Sequence, residues 1–477
     1  MTKRWRACLV GWGTLAVLSV MPVAGRAQDP SATPASTQET PKPAGRAIPP
    51  LDVVGDDQPS TDQLLPDSRP LTGVQNQTLG RVESPHSYWV PGFQYSNTVQ
   101  SSQPGEVNSG WSVTNYLAAN VSLLDDWRFA QLALSYSGGA SISTDQQLGT
   151  TAFQQLGVTQ TFQWARWQIQ FLDQFSYTDQ SEFGFGGGTG LGVPGGGSAT
   201  GTPQPGLGGG NDQSLFTTVG PRYNDNFTAQ AVYQFSPRTS INVSGSYGLL
   251  HFVNPGNIDT NNVGASLGYN YELTREDTIG VVFRFSQFSY VGNPQVIDDY
   301  VFNLEYGKKI TGRLAFRLFG GPDITNFQVP IGTSTRQISG AGGASLTYAW
   351  HRANLATSYT HAVTPGSGIT TGSNTDQVQT NITRNLGRAW QVQANFGFAR
   401  NSLIAAAALQ STYDSVYAGA GISRQFGQNT NVSLAYLGRT QNTSAIPGCT
   451  GTSCSTSYNQ QQIVMSFQWH TRPIVLK

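Results

Sequence analysis

The sequence predicts an all-β fold: a transmembrane antiparallel up-and-down β-barrel of about 18 strands, with 16 as the second choice. Three observations carry this. Only 11% of the 477 residues are Asp, Glu, Lys or Arg, against roughly 25% in a soluble globular domain. Beyond residue 87, apolar and polar residues alternate with a period of two, the mark of strands with one apolar face. The connections between these segments alternate between very tight and long, as in bacterial outer-membrane barrels.

Residues 1–27 read as a secretory signal. Lys3, Arg4 and Arg6 form the positive start, 8–23 the apolar stretch, and Gly25 and Ala27 the small residues at a cleavage site. Cys8 follows Arg-Ala and lacks the small-residue box of a lipoprotein. Residues 28–86 are dominated by Pro, Ala, Thr, Gln and Asp without a sustained period. They bury too little apolar surface to offset chain entropy, and a disordered, Pro-rich periplasmic tail is expected. Residues 87–477 are the expected outer-membrane barrel. The composition excludes other classes. A mean hydropathy of −0.28, with no spanning apolar run after residue 25, argues against a helical membrane protein. An aromatic share of 11% argues against disorder throughout. A formal net charge of zero gives no reason to expect nucleic-acid binding.

The alternation is explicit. In 239–252, Ile241, Val243, Tyr247 and Leu249 share one parity, and Asn242, Ser244 and Ser246 the other. In 262–272, Val263, Ala265, Leu267, Tyr269 and Tyr271 oppose Gly264, Ser266, Gly268, Asn270 and Glu272. Ile279, Val281, Phe283 and Phe285 oppose Gly280, Arg284 and Ser286; Trp390, Val392, Ala394, Phe396 and Phe398 oppose Gln391, Gln393 and Asn395. A soluble sandwich would place Lys and Glu on the polar face, yet the chain has five Lys in all. A polar face without surface charge suits a wet barrel interior.

Tight turns are expected at 124–126, 165–166, 236–238, 273–277, 308–312, 351–352, 386–389 and 427–430. Longer links are expected at 101–110, 142–149, 181–215, 254–259, 292–295, 324–333, 365–374, 400–409 and 441–458. Eight short and nine long connections join eighteen strands, an even number, so both termini fall on the periplasmic side. Pro91 and Pro221, inside two of the segments, motivate the sixteen-strand alternative. Charge follows the same division. Arg166, Arg238, Arg275, Lys308, Lys309, Arg313, Arg352, Arg388 and Arg424 lie at or beside tight turns, where they would face anionic inner-leaflet lipid. Glu106, Asp145, Glu182, Asp212 and Asp259 lie in long links, with Arg400 the main exception. Trp127, Trp164, Trp167, Tyr271, Trp350, Trp390 and Trp469 gather where strands meet turns and are read as a headgroup-level girdle. Asp173 resists the pattern. It shares parity with Trp167, Ile169, Phe171 and Phe175, so a bulge or a wrong parity is expected there.

Several segments carry a resemblance. They are Arg69-Pro-Leu-Thr-Gly-Val74, 223–235 followed by Ser236-Pro-Arg-Thr-Ser240, Ser246-Tyr-Gly-Leu-Leu-His-Phe252, Gly268-Tyr-Asn-Tyr-Glu-Leu-Thr-Arg275, Gly312-Arg-Leu314 and the closing Phe467-Gln-Trp469. Together they resemble the bacterial outer-membrane β-barrel porins, specifically large Gly- and Asn-rich barrels with a Pro-rich N-terminal extension. The resemblance covers most of 69–477 and implies a channel-like membrane protein with no particular substrate. The family's barrels usually end on a terminal aromatic, whereas here residues 470–477 follow Trp469.

Motifs that suggest other chemistry fail on context. Gly264-Ala-Ser266-Leu-Gly268 matches a nucleophile elbow but alternates inside a strand with no helix after it. Gly190-Leu-Gly192-Val-Pro-Gly195 lies in the low-complexity stretch 184–210, a flexible loop long enough to fold inward and narrow a pore. His86, His251, His351, His361 and His470 include no pair spaced to share a metal on a helix. No catalytic, cofactor-binding or metal residues are assigned. Cys449 and Cys454 are a candidate disulfide, chemically permitted after secretion; a reactive or metal-binding pair is the alternative. Arg284, Glu305, Arg313 and Arg317 are candidate lumen residues. They would either set a transverse field that selects solutes or pair with one another and brace the wall.

The expected function is a porin-like channel of the outer membrane for passive diffusion of small hydrophilic solutes, without enzyme activity or cofactor. Its expected partners are outer-membrane lipids, the barrel-assembly machinery and those solutes, with a homo-oligomer left open. The alternative is a non-conducting structural or surface-interaction barrel whose long loops contact polymers.

Overall fold

A computed structural model describes residues 87–476, apart from 102–109, 145–148, 179–220, 255–256, 329–334, 367, 369–370, 405–411 and 444–457. The expected signal, the tail, the glycine-rich segment 184–210 and the Cys449–Cys454 pair lie outside the described residues.

The strands follow the chain in order. The first six are β1 (Tyr88–Ser101), β2 (Trp111–Asp126), β3 (Ala130–Ser143), β4 (Thr150–Gln163), β5 (Trp167–Thr178) and β6 (Arg222–Ser236). Then come β7 (Thr239–Phe252), β8 (Thr260–Glu272), β9 (Asp277–Tyr290), β10 (Asn293–Thr311), β11 (Leu314–Gln328) and β12 (Thr335–Trp350). The last are β13 (Ala353–Thr364), β14 (Ser373–Leu386), β15 (Trp390–Leu403), β16 (Thr412–Phe426), β17 (Thr430–Thr443), β18 (Tyr458–His470) and the two-residue β19 (Ile474–Val475). Each of β1–β18 pairs antiparallel with its chain neighbours, and β18 returns to β1 in register from Gly92↔His470 to Gln100↔Gln462. The sheet is therefore closed, with eighteen strands around it and β19 as an appendage.

Closure is visible in the burial pattern, which is inverted relative to a soluble protein. Along β8, Asn262, Ser266 and Asn270 are buried while Val263, Leu267 and Tyr269 are exposed. The same holds for buried Asn242 and Ser244 against exposed Val243 and Tyr247 on β7. Polar residues line the inside and apolar residues the outside, so each strand is stable only with lipid-like surroundings outside and polar contacts within.

The two prolines that motivated sixteen strands sit where a missing N–H costs nothing. Pro91 lies where the partner of β1 changes: Tyr88 and Trp89 pair with Val475 and Ile474, and pairing with β18 begins at Gly92. Its carbonyl still accepts from the Thr471 amide at 2.9 Å. Pro221 precedes β6 and accepts from the Val253 amide at 2.9 Å. The residues after Trp469 thus extend the seam through β19.

Tight turns fall near the expected places, with shifts. β2 continues to Asp126 and turns at 127–129, not 124–126; β10 runs on to Thr311 and turns on Gly312 and Arg313. The longer link expected at 292–295 is a two-residue turn of Val291 and Gly292, whose φ of 79° suits glycine. β11 runs through Gln328, taking up part of the expected 324–333 loop. The girdle residues Trp127, Trp164, Trp167, Trp350, Trp390 and Trp469 are all exposed at the tight-turn rim. At Asp173 neither a bulge nor a parity error occurs. The β4–β5 and β5–β6 registers are continuous, so its carboxyl faces outward between Phe171 and Phe175. Asp225 lies on the same outer face of β6, paired with Phe175, so a second carboxyl shares this apolar face.

Close approach also constrains the wall. A Cβ at Gly139 would overlap the Leu117 carbonyl on β2, a backbone atom that no side-chain rotation relieves. Gly139→Ala is expected to lower the unfolding free energy by about 1–3 kcal/mol, read by urea titration in detergent. A change within error would mean that β2 and β3 can separate at no cost there.

Candidate pore lining and outer mouth

The inward faces of β9, β10 and β11 carry two tiers of charge. In the first, Arg284 Nη2 lies 3.6 Å from Asp299 Oδ2, with Asp323 on the inward face of β11. Asp323 Oδ1 accepts from the Thr325 hydroxyl at 3.2 Å. In the second tier, Arg317 Nη2 donates to both oxygens of Glu305 at 2.9 Å, with its guanidinium 5.3 Å from the Phe319 ring centre. The side chains of both ion pairs are almost fully buried. Alternation explains the placement: Arg284 shares the inward parity of Ser286, and Glu305 that of Asn303. Both arginines lie against carboxylates of the adjacent strand, Arg284 against Asp299 and Arg317 against Glu305. Arg313 is elsewhere: it is exposed in the β10–β11 turn and is not a lumen residue. Its parity on paper continues that of Arg317, but the strand ends before it.

Nearer the long-loop rim the lumen changes character. Phe288 and Tyr290 of β9, Ile297 of β10, Phe327 of β11 and Val363 of β13 form one buried apolar cluster, with Ile258 and Ile404 against it. The first four lie on the inward parity of their strands, so this cluster is inside the barrel mouth. The connection between β13 and β14 folds onto it. The Gly368 carbonyl accepts from the Ile258 amide at 2.8 Å, and the Thr371 hydroxyl donates to Gln295 Oε1 at 2.9 Å. Gly372 has a φ of 83°, and a Cβ there would run into Ile297. Gly368, with a φ of 85°, is held as closely against Phe252 of β7. Both positions thus need glycine for conformation and for space. A connection anchored on β13 and β14 therefore reaches the inner face of β7, crossing part of the mouth.

The residues that sequence reasoning missed are Asp299, Asp323 and this cluster. The signal for the cluster was present: on β9 the polar parity of Arg284 and Ser286 becomes aromatic at Phe288 and Tyr290. An apolar residue on an inward parity needs an apolar partner inside the lumen, and Val363, Ile258 and Ile404 supply it.

Two of the histidines lie on the outward side. His251 Nδ1 lies 2.6 Å from Asp259 and its ring stacks on Tyr223, on the outward side. His361 Nδ1 lies 2.8 Å from Asp376, also outward. Among the described residues no group of His, Cys, Asp and Glu could hold a metal ion.

No protein-family model matches the chain, and no curated protein matches it. Among solved structures it is similar to OpdK of Pseudomonas aeruginosa with vanillate, at 8% identity and a TM-score of 0.43, covering 80% of this chain and 99% of that one. It is similar to OpdQ of Pseudomonas aeruginosa at 9% identity and a TM-score of 0.42, with coverage of 80% and 99%. It is similar to OccAB3 of Acinetobacter baumannii at 8% identity and a TM-score of 0.41, again with 80% and 99% covered. At that level of likeness the closed strand ladder, and not these neighbours, establishes the barrel.

Proposed function

We propose that the chain is an outer-membrane channel for passive movement of small hydrophilic solutes, entered through a mouth that the β13–β14 connection narrows. The observation that carries this reading is the inverted polarity of a closed eighteen-stranded barrel, with Asn, Ser, Thr and Gln inside and apolar residues outside. Barrels of 16–18 strands enclose an aqueous passage, and a wall of polar side chains wets it. The tight-turn rim, bearing the Trp girdle and Arg166, Arg238, Arg275, Arg313, Arg352, Arg388 and Arg424, is the periplasmic side in this reading, with both ends of the barrel domain there. Width at the mouth and the lumen wall, and not a catalytic group, would set which solutes pass.

A second reading is favoured by the same connection: if it closes the mouth, the barrel is a non-conducting surface protein. Single-channel recording of the refolded full chain in a planar bilayer separates the two. Stable conductance steps are the expected result. Silence from a correctly folded barrel would overturn the channel in favour of the closed form.

A further inference from the structure

We infer that residues 46–86 of this chain enter the barrel through the tight-turn rim and lie extended along the inner faces of β7–β10, leaving the passage to run beside β12–β14. The inference rests on the channel reading above, to which it adds an occupant of the lumen.

The observation is uneven cover inside the barrel. On β8 each inward residue from Thr260 to Asn270 is buried, on β9 each from Thr278 to Tyr290, and on β10 each from Ile297 to Gly307. On β7 the inward residues from Ser240 to Phe252 are buried with the exception of Ser246. The cover thus runs from one rim to the other. The tight-turn halves of β12 and β14 differ: inward Ser345, Thr347, Asn381 and Thr383 keep part of their surface exposed. Wall neighbours do not account for the covered side. On the tight-turn halves of β7 and β8 the inward residues are Ser240, Asn242, Ser244, Ser266, Gly268 and Asn270, none longer than asparagine. Asn242 lies over Gly268, where any Cβ would overlap it. Its carboxamide is fully buried, and neither its nitrogen nor its oxygen has a hydrogen-bond partner. Ser240 and Ser286 carry buried hydroxyls in the same state. Such groups are costly inside a protein unless something pairs with them. These point into the lumen, where an extended backbone can do so.

The chain supplies an occupant of matching chemistry at the matching end. Ser87 is fixed at the tight-turn rim: its carbonyl accepts from the Leu476 amide at 2.8 Å, and its hydroxyl donates to Asp125 Oδ1 at 2.7 Å. The stretch before it carries Pro49, Pro50, Pro59, Pro66, Pro70 and Pro85. Proline cannot extend a strand ladder and favours the polyproline II form, which has no hydrogen bonds of its own. The carbonyls of such a segment need side-chain donors, and Asn242 Nδ2 and the Ser240 and Ser286 hydroxyls are available for them. The inward Gly264, Gly268 and Gly280 let a second backbone come close to the wall. Length is sufficient as well. At about 3.1 Å per residue, residues 46–86 reach roughly 130 Å, whereas the thirteen residues of β8 span roughly 45 Å. The segment can therefore cross the rim from Ser87 and still run the full height of β7–β10.

The test begins with the full chain. With benzoylphenylalanine in place of Leu51 or Leu64, irradiation followed by mass spectrometry is expected to find crosslinks on inward residues of β7–β10. Crosslinks confined to other strands, or none to the barrel, overturn the assignment. The second readout is thiol modification by a charged, water-soluble methanethiosulfonate, followed peptide by peptide. Ser286→Cys replaces a hydroxyl that has no partner, so no bond is lost. It should react at least tenfold faster once residues 46–86 are deleted, while Ser345→Cys, inward on β12, should react alike in both forms. Strands β1–β18 close the ladder by themselves, so the deletion leaves the pairing of the barrel complete. Equal rates at Ser286→Cys in the two forms overturn the proposal. So does acceleration on deleting 181–215 instead, which would give the cover to the β5–β6 connection. If the shortened chain does not fold, the crosslinks decide. Conductance is recorded separately: silence with the crosslinks in place would sink the passive channel and leave the occupant standing.

Discussion

Removing residues 366–371, so that Pro365 and Gly372 remain as a two-residue turn, is expected to raise single-channel conductance to roughly double or more, since current is set by the narrowest section. The deleted stretch contains Gly368 and Thr371, which hold the connection against Ile258 and Gln295. Gly372, already at a positive φ, suits the second position of the shortened turn. Losing the inward fold should also expose Phe288, Tyr290, Ile297 and Phe327 to the lumen, so the variant should become a better target for apolar blockers added from the long-loop side. An unchanged conductance from a folded variant would show that the narrowest section lies elsewhere. If the unaltered chain is silent and the variant conducts, the connection is a closed lid and the non-conducting reading describes the resting protein.

The second large effect concerns the wall. Arg317→Ala leaves the Glu305 carboxylate buried without its bidentate partner, and a broken buried pair costs about 3–5 kcal/mol. Unfolding by urea in detergent should report a loss of that size, while Arg317→Met with Glu305→Gln should recover most of it, since no lone charge remains. The coupling between the two positions is the measured quantity, obtained from the double-mutant cycle. A single-variant loss under about 1 kcal/mol, the figure for a solvated surface pair, would mean that lumen water serves Glu305 and that the pair does not brace the wall.

These expectations show what kind of residue was readable in advance. Arg284, Glu305 and Arg317 were read as lumen candidates by parity alone, and all three are buried on the same strand faces as polar neighbours such as Ser286 and Asn303. Their partners were less legible. Asp299 lies beside Asp298 in sequence, and only the register sends one inward to Arg284 and the other outward to Gln287 and Gln328. Arg313 failed for a local reason: parity says nothing about where a strand stops, and Thr311 ends β10 two residues before it. The acid at Asp173 was readable as an anomaly. The register shows that it does face outward, with a second acid, Asp225, on the same face one strand over.

The sequence by itself determined the all-β barrel architecture of about eighteen strands, with sixteen left as the alternative, and which face of each strand is apolar. These follow from an alternation of period two and from turn residues, which are local properties of the chain. The tertiary structure decided the shape of the mouth. Phe252, Ile258, Tyr290 and Ile297 meet Gly368 and Gly372 across several strands, and such contacts leave no periodic trace in either segment. It also decided the break between β12 and β13. Both strands read as continuous alternating segments, yet their ladder stops at Gly342↔His361, and Val363 beyond it is buried in the apolar cluster inside the barrel.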